Sequence, residues 1–226
     1  MRSTWRTPDP GLLRDALAIA ASAAVTGASF GAITVASGSP WWTPVLMSLV
    51  IFAGGAQFMA VGIVAAGGSP PAAVLAGLIL NIRHLPFGMA VGGVIGSGLP
   101  ARLVGSHLMA DETVAFALAQ RDPARARTAY WLCGTTLFIA WNTGVLAGAL
   151  LGQGIGDPAT FGLDAAFPAA LLALVLPALK DKATTRAALA GAATALAATP
   201  FTPPGVPVLL ALAGLVALRL PVPASR

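Results

Sequence analysis

Long apolar runs bounded by turn-forming residues dominate the chain and set its predicted elements. A helix needs roughly 20 predominantly apolar residues to cross ~30 Å of hydrocarbon. Runs of this kind fall at 13–36, 43–66, 71–96, 102–119, 129–152, 163–179, 186–199 and 205–220. The seventh is short enough to be a re-entrant or tilted piece. The spacing therefore predicts an all-α, polytopic transmembrane helical bundle of about 8 spans, with 7 as the alternative count. Turn chemistry is dense between the runs, at Gly38-Ser39-Pro40, Gly67-Gly68-Ser69-Pro70-Pro71, Gly98-Leu99-Pro100 and Pro200 to Pro204. The whole of 1–226 reads as one integral membrane domain, with 181–226 supplying the C-terminal helices.

Composition removes the main alternative. Of the 226 residues 57% are hydrophobic and only 9% charged, with a mean hydropathy of +0.82. A soluble domain carries about 25% Asp, Glu, Lys and Arg. So few charges cannot cover a soluble globule of this size, whereas lipid tails can face apolar surface directly. The net charge of +5 does not point to nucleic acid, because the basic residues are thinly spread over short connections without aromatic interleaving. The single Cys133 lies within an apolar run, so no disulfide and no cysteine metal site can be built from this chain.

The basic residues orient the spans instead. Arg2 and Arg6 precede the first and Arg14 lies at its start, and Arg121, Arg125 and Arg127 separate the fourth from the fifth. Lys180, Lys182 and Arg186 separate the sixth from the seventh, and Arg219 and Arg226 lie at the end of the eighth and beyond it. Eight spans put all of these on one side, which the positive-inside rule makes cytoplasmic, with both termini inside. The opposite connections hold Asp157 and Asp164, with Arg102 as the exception. The run from Ala16 to about Val35 is read as a first span rather than a cleaved signal, because it is long enough to cross. Glycines four apart at Gly27/Gly31, Gly88/Gly92/Gly96 and Gly144/Gly148/Gly152 predict close helix contacts in lipid.

The rare polar residues fall at similar depth in five predicted helices. The first span holds Thr26 and Ser29, and the second holds Gln57 after Gly54-Gly55. The third runs through Asn81, Arg83 and His84, the fourth through Asp111, Glu112 and Thr113, and the fifth through Trp141 and Asn142. A charge at mid-bilayer costs at least ~2.5–3.5 kcal/mol, so such groups persist where they pair or line a cavity. Arg83 with Asp111 or Glu112 is either a structural tie between two helices or part of a site. The second carboxylate and His84 are surplus to a mere tie and favour a site. Pro86 deprives the Ile82 carbonyl of its helical donor, and Gly54-Gly55 is a natural place for a helix to loosen. Broken helices at mid-membrane are therefore expected.

Enzymatic readings find less support. His84, His107 and Asp111 could in principle hold a metal, but no His-Glu-x-x-His pattern is present. Neither a phosphate-binding glycine loop nor a local signature for a Ser-His-Asp arrangement occurs. No cofactor and no metal is expected. A membrane-embedded enzyme using Asp111, Glu112 and His84 as acid and base remains the alternative, as does a scaffold subunit of a transport complex.

The motif residues resemble the AzlC family, the large permease subunit of branched-chain amino acid exporters. The resemblance runs through Phe52-Ala53-Gly54-Gly55-Ala56-Gln57-Phe58 and Asn81-Ile82-Arg83-His84-Leu85-Pro86-Phe87-Gly88. It continues through Asp111-Glu112-Thr113 and through Gly162-Leu163-Asp164 with Phe167-Pro168-Ala169, making 13–180 the family-like core. It implies a permease of the bacterial inner (plasma) membrane exporting branched-chain or related amino acids. It also implies a small hydrophobic AzlD-type membrane subunit as partner, and energy from an ion gradient or the substrate's own gradient.

Overall fold

The computed structural model describes residues 10–154 and 178–219, together with 172, 175 and 176. The expected span at 163–179, the motif from Gly162 to Ala169, and Arg2, Arg6, Asp157, Asp164 and Arg226 lie largely or wholly outside the described residues. Among the described residues every regular element is helical. In chain order these are α1 (Pro10–Ala36), α2 (Trp42–Ile51), α3 (Gly54–Ala65), α4 (Pro70–Asn81), α5 (His84–Ile95), α6 (Leu99–His107), α7 (Asp111–Leu118), α8 (Pro123–Gly152), α9 (Lys182–Ala198) and α10 (Val206–Leu210). Short 3₁₀ segments cover Ala178–Lys180, Thr199–Phe201 and Ala211–Arg219.

Among the described residues two helices, α1 and α8, are each long and apolar enough to cross a bilayer, and α4 with α5 makes a third if the pair is one span. Helix length alone thus gives two or three crossings among these residues, where eight are expected over the whole chain. Three of the expected spans lack one long helix for a local reason. The expected spans 43–66, 71–96 and 102–119 are each interrupted near the middle, at Phe52–Ala53, Ile82–Arg83 and Leu108–Ala110. Each becomes two helices of 8 to 12 residues.

The chain forms two compact units. The first comprises residues 1–54 and 82–158, the second 55–81 and 159–226. In the first, α1 lies along α8 in parallel. A Cβ added at Gly144, Gly148 or Gly152 would meet the backbone of Ala24, Ala28 or Ala32 respectively, so both chains advance together by one turn per contact. Gly27 and Gly31 approach α8 from the other side, against Trp141, Val145 and Ala149. Glycine is required here because the two backbones touch. Parallel spans need an odd number of crossings between them, a condition met if each broken pair crosses once. At its start α8 is fixed by Asp122, whose carboxylate accepts the Arg125 N–H at 2.7 Å, and by Pro123 in the first turn.

The remaining expected stripe, Gly88/Gly92/Gly96, is packed differently. Nothing lies within 4 Å of a Cβ added at Gly92, and Gly88 reaches only Met109. Gly96, at φ +118°, ends α5 against the Arg127 guanidinium. Glycine spacing shows what a helix can accept, not which neighbour is present. α5 instead packs by its other face, where Val91 and Ile95 join Met109, Val114, Ala117 and Tyr130 in an apolar cluster.

The second unit is built on small residues. Ile63, Ala73 and Ala76 pack together, with Met59, Ala60, Ala72 and Leu209 around them. Gly191 of α9 sits against the Ala211 carbonyl, and Gly214 against Ala187 and Gly191.

Candidate functional site

Each break is formed by identifiable backbone chemistry. α2 ends at Phe52, which adopts the left-handed conformation (φ 41°, ψ 51°), and α3 begins at Gly54. The interruption therefore precedes the expected loosening point at Gly54-Gly55 by two residues. α5 begins at His84, so Pro86 sits in its first turn, where a missing N–H costs nothing. The Ile82 carbonyl, which Pro86 cannot serve, accepts the Leu85 N–H at 3.0 Å instead. α6 stops at His107, Ala110 is extended (φ −133°, ψ 164°), and α7 opens on Asp111 and Glu112. No glycine or proline marks this third break. Its signal is the acidic pair itself, since carboxylates favour the first turn of a helix.

The breaks bring Arg83 and Asp111 together. Arg83 immediately precedes α5, Asp111 is the first residue of α7, and their side chains pair at 2.6 Å (Nη1 to Oδ2). Both helices direct their positive ends toward this point, which suits Asp111 and opposes Arg83. The one carboxylate thus answers a guanidinium and a helix N-terminus. The pair is 36% and 45% exposed, so it is reachable from outside the protein. Yet Arg83 Nε and Asp111 Oδ1 are buried and make no hydrogen bond. A donor and an acceptor remain unspent beside each other.

The other candidate residues distribute around this pair or away from it. His84 is the residue after Arg83, its ring edge-on to Phe87 at 6.0 Å. Thr113 is fully buried on α7, its methyl side 3.3 Å from where a Cβ on Gly134 would lie. Glu112 is exposed. Ser29 is exposed too, and donates back to the Val25 carbonyl of its own helix at 3.1 Å. Asn142 accepts from the Ser48 hydroxyl at 2.7 Å and donates to the Phe138 carbonyl at 2.8 Å, which ties α2 to α8. Trp141 is buried, stacks on Phe30 at 6.2 Å and leaves its Nε1 without an acceptor. In the second unit, Asn81 closes α4, and Gln57 is fully buried with neither end of its amide hydrogen-bonded.

A run of α8 side chains supports the breaks, and most of it was not singled out by sequence. Tyr130 donates to the Gly105 carbonyl at 2.8 Å. One turn on, Gly134 admits Leu108 and Thr113, a Cβ there meeting Leu108 at 3.2 Å. At the next turn Phe138 meets the ring of Phe52 at 4.9 Å and that of His107 at 5.5 Å, both edge-on. Gly54 then lies against the Trp141 ring. The recurrence of Tyr130, Gly134, Phe138 and Asn142 every four residues puts them on one face of α8. That periodicity was visible in the sequence, but not what it would face.

The sequence profile described as AzlC protein matches residues 18–155. The chain belongs to the AzlC family. No curated protein and no solved structure matches it. The AzlC match spans all three breaks, the whole of α8 and every candidate residue named above. With its apolar helices, it makes this chain a membrane protein of a transport-type family.

Proposed function

We propose that the chain is the permease subunit of an exporter of branched-chain or related amino acids. It sits in a bacterial inner membrane with both termini in the cytoplasm, draws on an ion gradient, and works with a small AzlD-type hydrophobic subunit. The observation that carries this reading is the Arg83–Asp111 pair, half-exposed at two helix breaks, with one donor and one acceptor unspent.

An amino acid is a zwitterion, with a carboxylate for Arg83 and an ammonium for Asp111. Exchanging the internal pair for two pairs with substrate keeps the site neutral at every stage. That matters because an uncompensated charge in a low-dielectric site is costly, whereas a balanced, hydrogen-bonded set is tolerated. An aliphatic side chain fits against Phe87, which packs on the apolar cluster that includes Met109. Ion coupling falls to the titratable groups beside the pair, Glu112 and His84. The remaining residues hold this arrangement: Asn142 by fixing α2 to α8, and Thr113 by seating α7 on Gly134.

The test is release of valine or leucine from cells loaded with a dipeptide and expressing the chain with its small partner. Wild type and Arg83→Ala are compared at equal membrane abundance. Faster release by wild type alone is expected. Background release by both would overturn the substrate reading, and equal fast release by both would remove Arg83 from the site.

A further inference from the structure

We infer that α6 and α7 do not cross the membrane but form a re-entrant hairpin, which enters and leaves on the side where α8 begins and carries Asp111 at its tip. All the elements concerned belong to the first compact unit, and α8 serves as their ruler. α5 runs down toward the start of α8, with Val91 and Ile95 packed beside Tyr130 and Gly96 on the Arg127 guanidinium. Only Gly96, Ser97 and Gly98 separate it from α6, which therefore starts at the same end. α6 then climbs alongside α8: Tyr130 donates to the Gly105 carbonyl, and one turn on Gly134 faces Leu108. α7 comes back down. Thr113 meets the same Gly134, Val114 and Ala117 pack beside Tyr130, and Gln120 accepts from Arg125 Nε at 2.9 Å in the first turn of α8. The two helices thus begin and end at one level.

Length agrees with direction. α6 has 9 residues and α7 has 8, about 13 and 12 Å, so each reaches roughly half way into ~30 Å of hydrocarbon. Irregular backbone at that depth has to be buried and have its polar groups satisfied. At the tip Leu108 and Met109 are buried, and their N–H groups donate to the Val104 and Ser106 carbonyls at 3.0 and 3.3 Å. An odd number of crossings between the parallel α1 and α8 is kept without α6 and α7. α2 comes down from the far end of α8, through Ser48 on Asn142 to Phe52 on Phe138, and α5 completes the one descent.

Arg102 supports the hairpin independently. On a crossing span it stands on the side opposite Arg121, Arg125 and Arg127, the exception to the positive-inside rule. In the hairpin it lies near the start of α6, at the same end as those three, and the exception disappears. Asp111 is thus carried by an element tethered at one face, and Arg83 by the descending chain. The hairpin is a matter of topology and stands or falls independently of what is transported.

Single cysteines in a Cys133→Ala background, which removes the one native thiol, tell the two topologies apart. Ser97→Cys before α6 and Arg121→Cys after α7 are exposed positions, and Ser37→Cys, beyond α1, marks the opposite face. A membrane-impermeant maleimide is applied to intact cells and to inside-out vesicles. Ser97→Cys and Arg121→Cys are expected to react from the same side, and Ser37→Cys from the other. Labelling of Ser97→Cys together with Ser37→Cys, on the side opposite Arg121→Cys, would overturn the hairpin. The double variant Ser97→Cys with Arg121→Cys, spin-labelled in nanodiscs, gives a second readout that does not depend on reagent access. A hairpin places both labels at one face, well within ~30 Å of each other, whereas a crossing span holds them apart by that thickness or more. A distance of about 30 Å or longer would also overturn the hairpin.

Discussion

Arg83 and Asp111 meet at 2.6 Å where α5 and α7 both begin, so two helix N-termini share one carboxylate. Neither partner can be removed without cost. Asp111→Asn leaves Arg83 facing the positive end of α5 alone. The pair is intermediate between surface and core, so the loss should be roughly 1–3 kcal/mol, between the limits for exposed and buried pairs. The exchanged variant, Arg83→Asp with Asp111→Arg, should recover most of this, because either arrangement puts one anion and one cation at the two helix N-termini. Unfolding midpoints in detergent measure both. No recovery in the exchanged variant would show that the pairing of opposite charges does not carry the loss.

The contact between α1 and α8 makes a sharper packing prediction. Gly148→Leu drives a side chain into the Ala28 backbone, which cannot give way. Gly92→Leu enters open space. The first should destabilise by at least about 3 kcal/mol, at or above the usual overpacking range, and the second by less than about 1 kcal/mol. Thermal stability of the two purified proteins decides it. Similar losses would mean that Gly92 is packed in the membrane.

Ser48 and Asn142 test whether a polar residue at this level positions or binds. Asn142 spends its carbonyl on Ser48 and its amide on the Phe138 carbonyl, so it has little left for a ligand. Ser48→Ala and Asn142→Ala should each cost about 0.5–1.5 kcal/mol, and their double mutant less than the sum. Strict additivity across the cycle would mean that the bond contributes nothing.

These residues also show how far the sequence could be read. The charged pair, the two long spans, close helix contact at their glycines (though not which helix answers which) and the existence of breaks all follow from rules that use only local chemistry. A charge in an apolar run must find a counter-charge, and glycines four apart invite a close backbone. The α6–α7 break escaped because Leu108, Met109 and Ala110 carry no breaker, and the acidic residues after them were read for charge rather than as a helix start. Phe52 escaped for a different reason. Its left-handed backbone lies beside ring contacts to α6 and α8, which no window around residue 52 contains. Depth alone singles out Ser29, and its hydroxyl is spent on its own helix.

Outside the spans, Asp181 caps α9 by accepting the Thr184 hydroxyl and the Thr184 N–H, both at 2.7 Å. The Thr184 hydroxyl bond first, and the backbone bond second, hold its carboxyl below the usual aspartate value of 3.8. A lowered folded-state pKa contributes stability above the unfolded value that is lost as pH falls through the folded one. The first turn of α9 should therefore stay protected at neutral pH and begin to fray only below about pH 3.8. Asp181→Asn should keep the cap and remove this pH dependence, and Asp181→Ala should fray at all pH values. Hydrogen exchange of the first-turn amides separates the three. Fraying of the wild type well above pH 4 would contradict the assignment.

Gly54 and Trp141 provide a compensation test at the second unexpected contact. A Cβ on residue 54 would lie 2.8 Å from the outer edge of the indole, closer than real contacts allow. Phe30 of α1 stacks on Trp141 at 6.2 Å and limits its retreat. Gly54→Ala should therefore cost about 1–3 kcal/mol through overpacking. The atoms in the way belong to the six-membered ring of the indole. Trp141→Phe shortens the side chain and draws that edge back, so it should relieve much of the clash. Added to Gly54→Ala it should raise stability, although in the wild-type background it lowers it by leaving a gap. A sign change of this kind between backgrounds, read from unfolding midpoints, requires direct contact. If Trp141→Phe lowers stability equally in both, the indole and residue 54 do not touch.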